Sequence, residues 1–361
     1  MLDTYIPTLI QADARRSPLV DGLVQCAITS PPYWGLRKYE GAQDVVWDGS
    51  PECEHQWGEE KRIRQTAQRD HAKGGGFANT RGTEAARKGM AFDASNGSFC
   101  TECGAWKGAY GFEPSVQLYV EHTIEIMREI RRVLRDDGLL FWNIADTFKH
   151  KSLACVPQRV AIAAVEDGWV LRDSIVWAKP NPMPESVKDR LTRSHETILM
   201  LAKTESYNWN PEAAREPATS KDAGPDGKRN MRNVWTIALQ PFRGAHFAPF
   251  PEELVRRCIL LATKPGDLVL DLFGGSGTTG KVAMELGRRS VLLDINYTGD
   301  EGGYDELARR RFHKVLGSDS TLVQGTSAAS ALPVLQNEEC IRLMREFIQR
   351  NPKLWNEDIG V

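Results

Sequence analysis

The stretch from Pro265 to Asn296 constrains the fold more than any other part of the sequence. An apolar run, LVLDLF, is followed by a glycine-rich loop, a helix-like segment and a second apolar run, SVLLD. This order predicts a strand, a loop, a helix and a strand, a unit that belongs to an α/β sheet with helices on its faces. We therefore expect an α/β fold.

The loop in this unit has the pattern G-x-G-x-x-G, formed by Gly275, Gly277 and Gly280. Glycine permits a tight turn and lets a ligand lie against backbone that a Cβ atom would block. Asp294 ends the next predicted strand, where its carboxylate can bind ribose hydroxyls. The pattern alone is compatible with a dinucleotide site, with a nucleoside cofactor at the same end of the sheet, or with a tight turn that binds no ligand.

Other segments alternate between strand-like and helix-like patterns, which supports the same fold class. The sequence Asp136-Asp137-Gly138 predicts a turn before one of these strands. The polar segment 205–232 is predicted to be a loop, and residues 337–350 a helix. The remaining predicted strands are 23–30, 138–145, 169–179 and 196–203, and the remaining predicted helices are 116–134, 155–166 and a helix that begins near Pro251.

Charge gives no overall indication of a nucleic-acid partner, because the net charge of the 361 residues is −2. Residues 61–88, however, contain eight Lys or Arg against two acidic residues. This segment is either a solvated loop or a loop that contacts phosphates. The sequence has no apolar run of the roughly 18 to 20 residues that span a bilayer, and its N-terminus does not resemble a signal peptide. We expect a soluble, cytoplasmic protein with no membrane partner.

The cysteines point to a metal rather than to disulfides. Their number is seven and their spacing is irregular, which favours reduced thiols or metal ligands. Two short motifs, CEH and CTEC, supply the four candidate ligands Cys53, His55, Cys100 and Cys103. Such a set suits tetrahedral zinc, which would supply folding free energy to the polar insertion 41–115. The alternative is a set of unrelated surface cysteines.

A second motif, TSPPYW at residues 29–34, follows the predicted strand 23–30. Two successive prolines cannot donate backbone hydrogen bonds, so they end the strand in a rigid turn. That turn carries the hydroxyl of Ser30 on one side and the aromatic rings of Tyr33 and Trp34 on the other. Cys26 lies inside the apolar strand and is predicted to be a core residue.

Together, TSPPYW and DLFGGSGTTG (271–280) resemble the catalytic and cofactor motifs of the S-adenosylmethionine-dependent DNA amino methyltransferases. The catalytic motif precedes the cofactor motif, which is the circularly permuted order of the β group of that family. The segments 137–148, 172–203 and 244–255 are also similar to family segments, so the resemblance spans roughly residues 5–315. It implies a Rossmann-like methyltransferase sheet with helices on both faces, plus a small zinc-ribbon-like insertion module.

The resemblance also implies the role of each matching residue. The catalytic residues would be Ser30, Pro31, Pro32 and Tyr33, with the Ser30 side chain and the Pro31 carbonyl accepting hydrogen bonds from the amino group. Tyr33 would stack on a base flipped out of the duplex, and the methyl group would pass by direct displacement. The residues implied in cofactor binding are Asp13, His246, Phe250, Pro251, Asp271, Phe273, Gly274, Gly275, Gly277, Thr278 and Asp294.

Serine at the first position of the motif resembles the cytosine-N4 enzymes, and the adenine-N6 enzymes remain the alternative. Double-stranded DNA is the expected partner, with or without a restriction endonuclease, and the protein is expected to be a monomer or a homodimer. Two other readings stay open: a catalytically inactive DNA-binding protein, and a nicotinamide-dependent oxidoreductase built on the glycine loop. The oxidoreductase reading leaves TSPPYW unexplained.

Four parts are predicted along the chain. Residues 1–40 and 116–316 would form the catalytic domain, and 41–115 an inserted module that binds zinc and contacts DNA. Residues 204–243 would form a short variable loop that shares in target recognition. Residues 317–361 would form a C-terminal helical extension.

Overall fold

The computed structural model of the protein describes nine stretches of the chain. They are residues 5–35, 43–60, 62–66, 91–95, 97–218, 223–239, 250–297, 304–316 and 334–336. Within them, no helix combines the length and the apolar character that crossing a membrane requires.

The described residues form five helices and 18 strands. The helices are α1 (Val116–Val133), α2 (Val156–Glu166), α3 (Glu252–Ala262), α4 (Thr278–Glu285) and α5 (Tyr304–Leu316). The strands in the first half of the chain are β1 (Thr8–Gln11), β2 (Val24–Thr29), β3 (Val45–Trp47), β4 (Arg62–Thr66), β5 (Ala91–Ser95), β6 (Ser98–Phe99), β7 (Trp106–Gly108), β8 (Leu134–Ile144), β9 (Phe148–Lys149) and β10 (Ser152–Leu153). The others are β11 (Val170–Ala178), β12 (His195–Ala202), β13 (Arg215–Pro217), β14 (Lys228–Asn230), β15 (Val234–Thr236), β16 (Leu268–Asp271), β17 (Arg289–Asp294) and β18 (Val334–Gln336).

A nine-stranded mixed sheet forms the centre of the protein, in the order β15-β11-β12-β8-β2-β16-β17-β1-β18. The strands from β8 through β18 in this order are parallel, whereas β12 is antiparallel to both β8 and β11. The strand before TSPPYW, β2, is therefore the direct neighbour of β16, the strand before the glycine loop. Because both strands run in the same direction, the two motifs emerge at the same edge of the sheet.

Helices cover both faces of this sheet, as predicted. Successive side chains of a strand point to opposite faces. On β2, Ala27 joins a buried cluster with residues of α1 and α2, whereas Cys26 and Ile28 join a cluster with residues of α3 and α4. Cys26 is fully buried, so its prediction as a core residue is confirmed. The hydroxyl of Ser115 caps α1 by accepting a hydrogen bond from the Leu118 backbone N–H.

Two local predictions need correction. Asp136-Asp137-Gly138 does not precede the strand but lies inside β8, which begins at Leu134. Leu134 pairs with Val24 and Leu139 with Cys26, so six residues of β8 lie opposite three residues of β2 and the extra residues bulge out. The polar segment 205–232 is not wholly a loop, because β13 and β14 pair as an antiparallel hairpin within it.

The insertion 41–115 packs against the rest of the protein through its ordered core. β3, β7 and β6 form a three-stranded antiparallel sheet, and Trp47 and Trp106 on it are buried in the same cluster as residues of α1. The sequence predicts a polar insertion stabilised by a metal. Its predicted boundaries stay a prediction, but its core is continuous with that of the sheet.

Several predictions fall on residues beyond those described. Apart from the backbone of β4, the basic segment 61–88 lies outside the described residues, and so does the predicted helix 337–350. In the C-terminal part the structure instead describes β18, which pairs in parallel with β1 at the sheet edge. No sequence pattern had indicated that strand.

Candidate active site

A buried carboxylate joins the ends of β2 and β16. The Thr29 hydroxyl donates a hydrogen bond of 2.7 Å to Oδ1 of Asp271, and the Thr279 hydroxyl donates one of 2.6 Å to Oδ2. The backbone N–H of Phe273 also donates to Oδ1, at 3.0 Å. These bonds fasten the TSPPYW segment to the glycine loop, although Thr29 and Asp271 are 242 positions apart.

Burial shifts the pKa of both acidic residues in this region. Loss of solvation raises the pKa of Asp271 from 3.8 to about 6, against the opposing effect of hydrogen bonds from Thr279 and Thr29. Burial likewise raises the pKa of Asp294, whose oxygens accept hydrogen bonds from the backbone N–H groups of Gly275 (3.0 Å) and Asn296 (2.9 Å). Both carboxylates are thus held in a region with little water.

The raised pKa of Asp271 predicts a pH-dependent stability. Between pH 3.8 and about 6 the folded state binds more protons than the unfolded state, so the free energy of unfolding falls as pH rises through that window. We expect the Asp271→Asn variant to lack this component, which amounts to roughly 3 kcal/mol. Urea denaturation of both proteins from about pH 4 to about pH 7 measures it. Parallel curves for the two proteins would contradict the prediction.

The glycines of the loop serve different purposes. Gly275 has a φ of +45°, and a Cβ added there would meet only the Phe273 carbonyl oxygen, at 3.8 Å. Gly277 has a φ of +78°, and a Cβ there would lie 2.7 Å from the Cβ of Ala308 and 2.9 Å from the ring of Phe312, both on α5. Gly277 therefore permits contact between the loop and α5, whereas Gly275 leaves open space beside its backbone.

This open space belongs to a cavity of about 190 Å³ at the carboxyl edge of the sheet. Most of the predicted cofactor residues line it. They are Asp13, Phe250, Asp271, Phe273, Gly274, Gly275, Thr278 and Asp294, joined by Ser30 and Pro32 of the catalytic motif. The lining also includes residues that the sequence did not single out, among them Gln43, Val45, Trp47, Tyr110 and Phe112.

The other predicted residues lie elsewhere. Gly277 and Pro251 do not line the cavity; Pro251 is buried as the N-cap residue of α3. His246 lies outside the described residues. Asp13 reaches the cavity but is held by Arg15 in an ion pair of 2.6 Å. Burial would raise the pKa of Asp13, but the hydrogen bonds and charge of Arg15 outweigh it and lower the pKa.

The catalytic motif is held by a hydrogen-bond network. The Tyr33 hydroxyl donates to Oε2 of Glu196 at 2.8 Å and lies 2.8 Å from the Ser30 hydroxyl. Because the phenolic hydrogen points to Glu196, the Ser30 hydroxyl must donate to Tyr33 and keeps its own lone pairs for other donors. Neither Pro31, which is buried, nor Tyr33 lines the cavity.

Three residues of this network were missed by sequence reasoning. Asn143 donates from Nδ2 to Tyr33 (2.7 Å), to Glu196 (2.8 Å) and, more weakly, to Ser30 (3.3 Å). Lys179 forms an ion pair with the other oxygen of Glu196. One signal was available: Asn143 is a polar residue inside an otherwise apolar strand, GLLFWNIA. His195, beside Glu196, is exposed on the surface.

The four candidate metal ligands lie together. Their ligand atoms are all within 4.8 Å of one another, with Cys53 Sγ 3.8 Å from Cys100 Sγ and Cys103 Sγ 3.3 Å from His55 Nδ1. Zinc with Zn–S bonds of about 2.3 Å in a tetrahedron places two sulfur ligands about 3.8 Å apart. The separation of Cys53 Sγ and Cys100 Sγ thus matches that of two ligands of one tetrahedral zinc ion.

The thiols of this cluster differ in acidity. Desolvation opposes ionisation of Cys100, but hydrogen bonds from the backbone N–H groups of Cys103 and Glu102 lower its pKa to about 6. Desolvation and the neighbouring thiols raise the pKa of Cys53 to about 12. A thiolate stabilised by backbone N–H groups is the form of cysteine that binds metals.

Comparison with known proteins identifies the family. A family model described as "DNA methylase" matches residues 24–298. The chain is 37% identical to the Type II methyltransferase M.Cfr9I of Citrobacter freundii, over 80% of this chain and 83% of that protein. It is 33% identical to M.SmaI of Serratia marcescens, over 84% of this chain and 91% of that protein. The chain belongs to the DNA methylases.

The fold of this methyltransferase agrees with that assignment. The cytosine-N4-specific PvuII DNA methyltransferase has a similar structure, with a TM-score of 0.54, 17% sequence identity and coverage of 91% of both chains. A putative DNA modification methylase from Thermus thermophilus, complexed with S-adenosyl-L-methionine, has a TM-score of 0.51 and 19% identity, and covers 89% of this chain and 96% of its own. The α/β methyltransferase fold is confirmed.

Membership also settles the class of reaction. The enzyme is an S-adenosylmethionine-dependent DNA methyltransferase of the amino class, and DNA is its substrate. The reading of the glycine loop as part of a nicotinamide-dependent oxidoreductase was therefore wrong. The resemblance of TSPPYW and DLFGGSGTTG to the family motifs is confirmed at the level of the family.

Proposed function

We propose that the methyltransferase modifies the exocyclic N4 of cytosine. The observation that carries this proposal is the neutral hydroxyl of Ser30 at the edge of the cavity, with its hydrogen committed to Tyr33. Serine in this position is typical of the N4 enzymes. Adenine N6 is the second candidate, because an exocyclic amino group of adenine presents the same donors to the same acceptor.

The residues around the cavity have separate tasks. S-adenosylmethionine, when bound, supplies the methyl group that is transferred to the amino nitrogen. Asp294 would bind the ribose hydroxyls, while Gly275 leaves the backbone accessible and Phe273 supplies an apolar surface. Asp271, whose oxygens are occupied by Thr29 and Thr279, would fix the loop in place.

The catalytic motif would act by orientation. The lone pair of an exocyclic amino nitrogen is delocalised into the ring, so acceptors at Ser30 Oγ and the Pro31 carbonyl would direct its hydrogens and aim the lone pair at the methyl group. Tyr33 would stack on the flipped base while Glu196 and Asn143 hold its hydroxyl. Lys179 would keep Glu196 in place through their ion pair.

The partners beyond DNA are part of the proposal. Cys53, His55, Cys100 and Cys103 would hold a structural zinc ion. The basic segment 61–88, which joins the two halves of that cluster, would contact DNA phosphates. Replacing it with a neutral linker should weaken DNA binding and reduce its salt dependence; an unchanged salt dependence would refute this contact. The presence or absence of a restriction endonuclease partner stays open, and a monomeric or homodimeric state and a cytoplasmic location complete the proposal.

The target base can be read directly. We expect single-molecule sequencing of DNA from a methylation-free host that expresses the enzyme to show N4-methylcytosine in one defined sequence context. Cells carrying Asp294→Ala, which removes the proposed ribose ligand, serve as the matched background. Modified adenine in the wild-type sample would overturn the cytosine assignment and leave the class of enzyme unchanged.

A further inference from the structure

The small sheet formed by β3, β6 and β7 connects the metal cluster to the cofactor cavity. Both halves of the cluster grow out of this sheet: Cys53 and His55 follow β3, and the Cys100–Cys103 turn joins β6 to β7. The turn is closed by hydrogen bonds from the Cys100 N–H to the Ala105 carbonyl (2.7 Å) and from the Gly104 N–H to the Cys100 carbonyl (3.1 Å). One pair of ligands thus follows β3 in the chain, and the other pair precedes β7.

β3 and the residues that follow β7 also form a wall of the cavity. Val45 and Trp47 of β3 line it, as do Ala109, Tyr110 and Phe112 directly after β7. The indole N–H of Trp47 donates to the Gly108 carbonyl across the sheet, at 3.2 Å. The pairing of β3 with β7 therefore fixes the positions of the residues in this wall.

The turn that follows β3 packs tightly against the segment that contains Cys103. A Cβ on Gly49 would lie 2.5 Å from the Cβ of Ala105 and 2.9 Å from Sγ of Cys103. Residues 48–60 include no buried residue. They are held by a hydrogen bond of 3.2 Å between Asp48 and the buried His122, by backbone hydrogen bonds that join residues 56–58 to residues 99–101, and by contact between the two pairs of ligands. Contact between the two pairs of ligands is thus one of the links that hold this segment beside the turn between β6 and β7.

The sheet also supports the catalytic motif. His122 of α1 stacks on Trp47 with ring centroids 4.2 Å apart, and its Nδ1 lies 3.0 Å from the carboxylate of Glu113. The Glu113 carbonyl in turn accepts a hydrogen bond of 2.9 Å from the indole of Trp34, the last residue of TSPPYW. A displacement of Trp47 would therefore change the lining of the cofactor cavity and, through His122 and Glu113, the position of the catalytic loop.

We propose that a metal ion in this cluster clamps the cavity wall, so that affinity for the methyl donor depends on the metal. The inference rests on the proposed zinc site and on the proposed cofactor site. With the metal bound, β3 and β7 are fixed in the register that places Trp47 and Tyr110 at the cavity. Without it, residues 48–60 lose one of their links to the turn between β6 and β7, and the lining residues are less firmly fixed, which lowers the fraction of molecules competent to bind the donor.

The test uses the full chain under reducing, oxygen-free conditions. Metal content is measured by elemental analysis, and S-adenosylmethionine affinity by calorimetry, for the wild type before and after chelation and again after zinc is restored. We expect one zinc per chain, a Kd at least about tenfold higher after chelation, and recovery with zinc. Circular dichroism verifies that the main sheet stays folded.

Variants separate the clamp from general damage. His55→Ala should lose zinc and raise the Kd, whereas His55→Cys, which offers a fourth thiolate, should keep both the metal and the affinity. Cys155→Ser, at an exposed cysteine outside the cluster, should behave as wild type. If chelated protein that remains folded binds the donor within twofold of the zinc form, the clamp is refuted.

The premises fail in different ways. Wild type that contains no zinc and takes up none refutes the metal site. Wild type that holds zinc but binds no S-adenosylmethionine refutes the proposed cofactor site. Only the comparison between zinc-loaded and zinc-free protein bears on the link between them.

Discussion

Replacing Ser30 with alanine should lower the rate of methyl transfer by about 10²- to 10³-fold, with little change in cofactor affinity. The hydroxyl would accept a hydrogen bond from the amino group as its lone pair turns toward the methyl donor, and loss of one oriented polar contact to a transition state costs about this much. Single-turnover methylation of a DNA duplex, with cofactor affinity measured by calorimetry, separates the two effects.

Two controls sharpen this prediction. Tyr33→Phe keeps the ring for stacking but removes the oxygen to which Ser30 donates, so its loss of rate should be smaller than that of Ser30→Ala. Ser206→Ala, at an exposed serine distant in sequence from both motifs, should leave the rate unchanged. A Ser30→Ala rate within fivefold of wild type would remove Ser30 from the proposed mechanism.

Replacing Gly277 with alanine should reduce the free energy of unfolding by about 2 to 5 kcal/mol. Part of this cost is strain, because a residue with a Cβ atom is disfavoured at a φ of +78° by about 1 to 2 kcal/mol. The rest comes from overpacking against Ala308 and Phe312, which typically costs about 1 to 3 kcal/mol. Urea denaturation measures the sum.

Gly22 offers a matched control for the strain alone. Its φ is +65°, and an added Cβ would meet no atom within 4 Å. Gly22→Ala should therefore cost only about 1 to 2 kcal/mol, and the difference between the two variants isolates the contact with α5. Equal losses of stability would mean that α5 yields to the new methyl group and that the glycine is required by conformation only.

Local patterns carried most of the fold prediction. The apolar runs at β2, β16 and β17 and the glycine loop between the last two reveal their structure through neighbours in the sequence, and the helical spacing of α1 does the same. The bulge in β8 was not predictable in this way. It depends on the length of β2 beside it, and a turn signal such as Asp136-Asp137-Gly138 is equally compatible with a bulge.

The parts of the candidate site that lie within one sequence motif were predicted. The parts that form where distant segments of the chain meet were missed. The glycine loop and TSPPYW could be read directly, and the four cysteine and histidine residues come together as their motifs indicated. Trp47 and Tyr110 were not predicted to line the cavity, because the sequence around an aromatic residue does not show which distant segment that residue contacts. Glu196 and Lys179 were missed because their role appears only when β11 and β12 pair beside β8.

The bond between Thr29 and Asp271 has a consequence for the timing of synthesis. A ribosome adds about 5 to 20 residues per second, so the catalytic strand waits on the order of 12 to 50 seconds before β16 exists. In that interval β8 is its only sheet neighbour to have been made, and the edge toward β16 stays open on the nascent chain. Only translation past β17 unites both halves of the site, so a chain that terminates before β16 lacks the partner of Thr29 and the whole glycine loop.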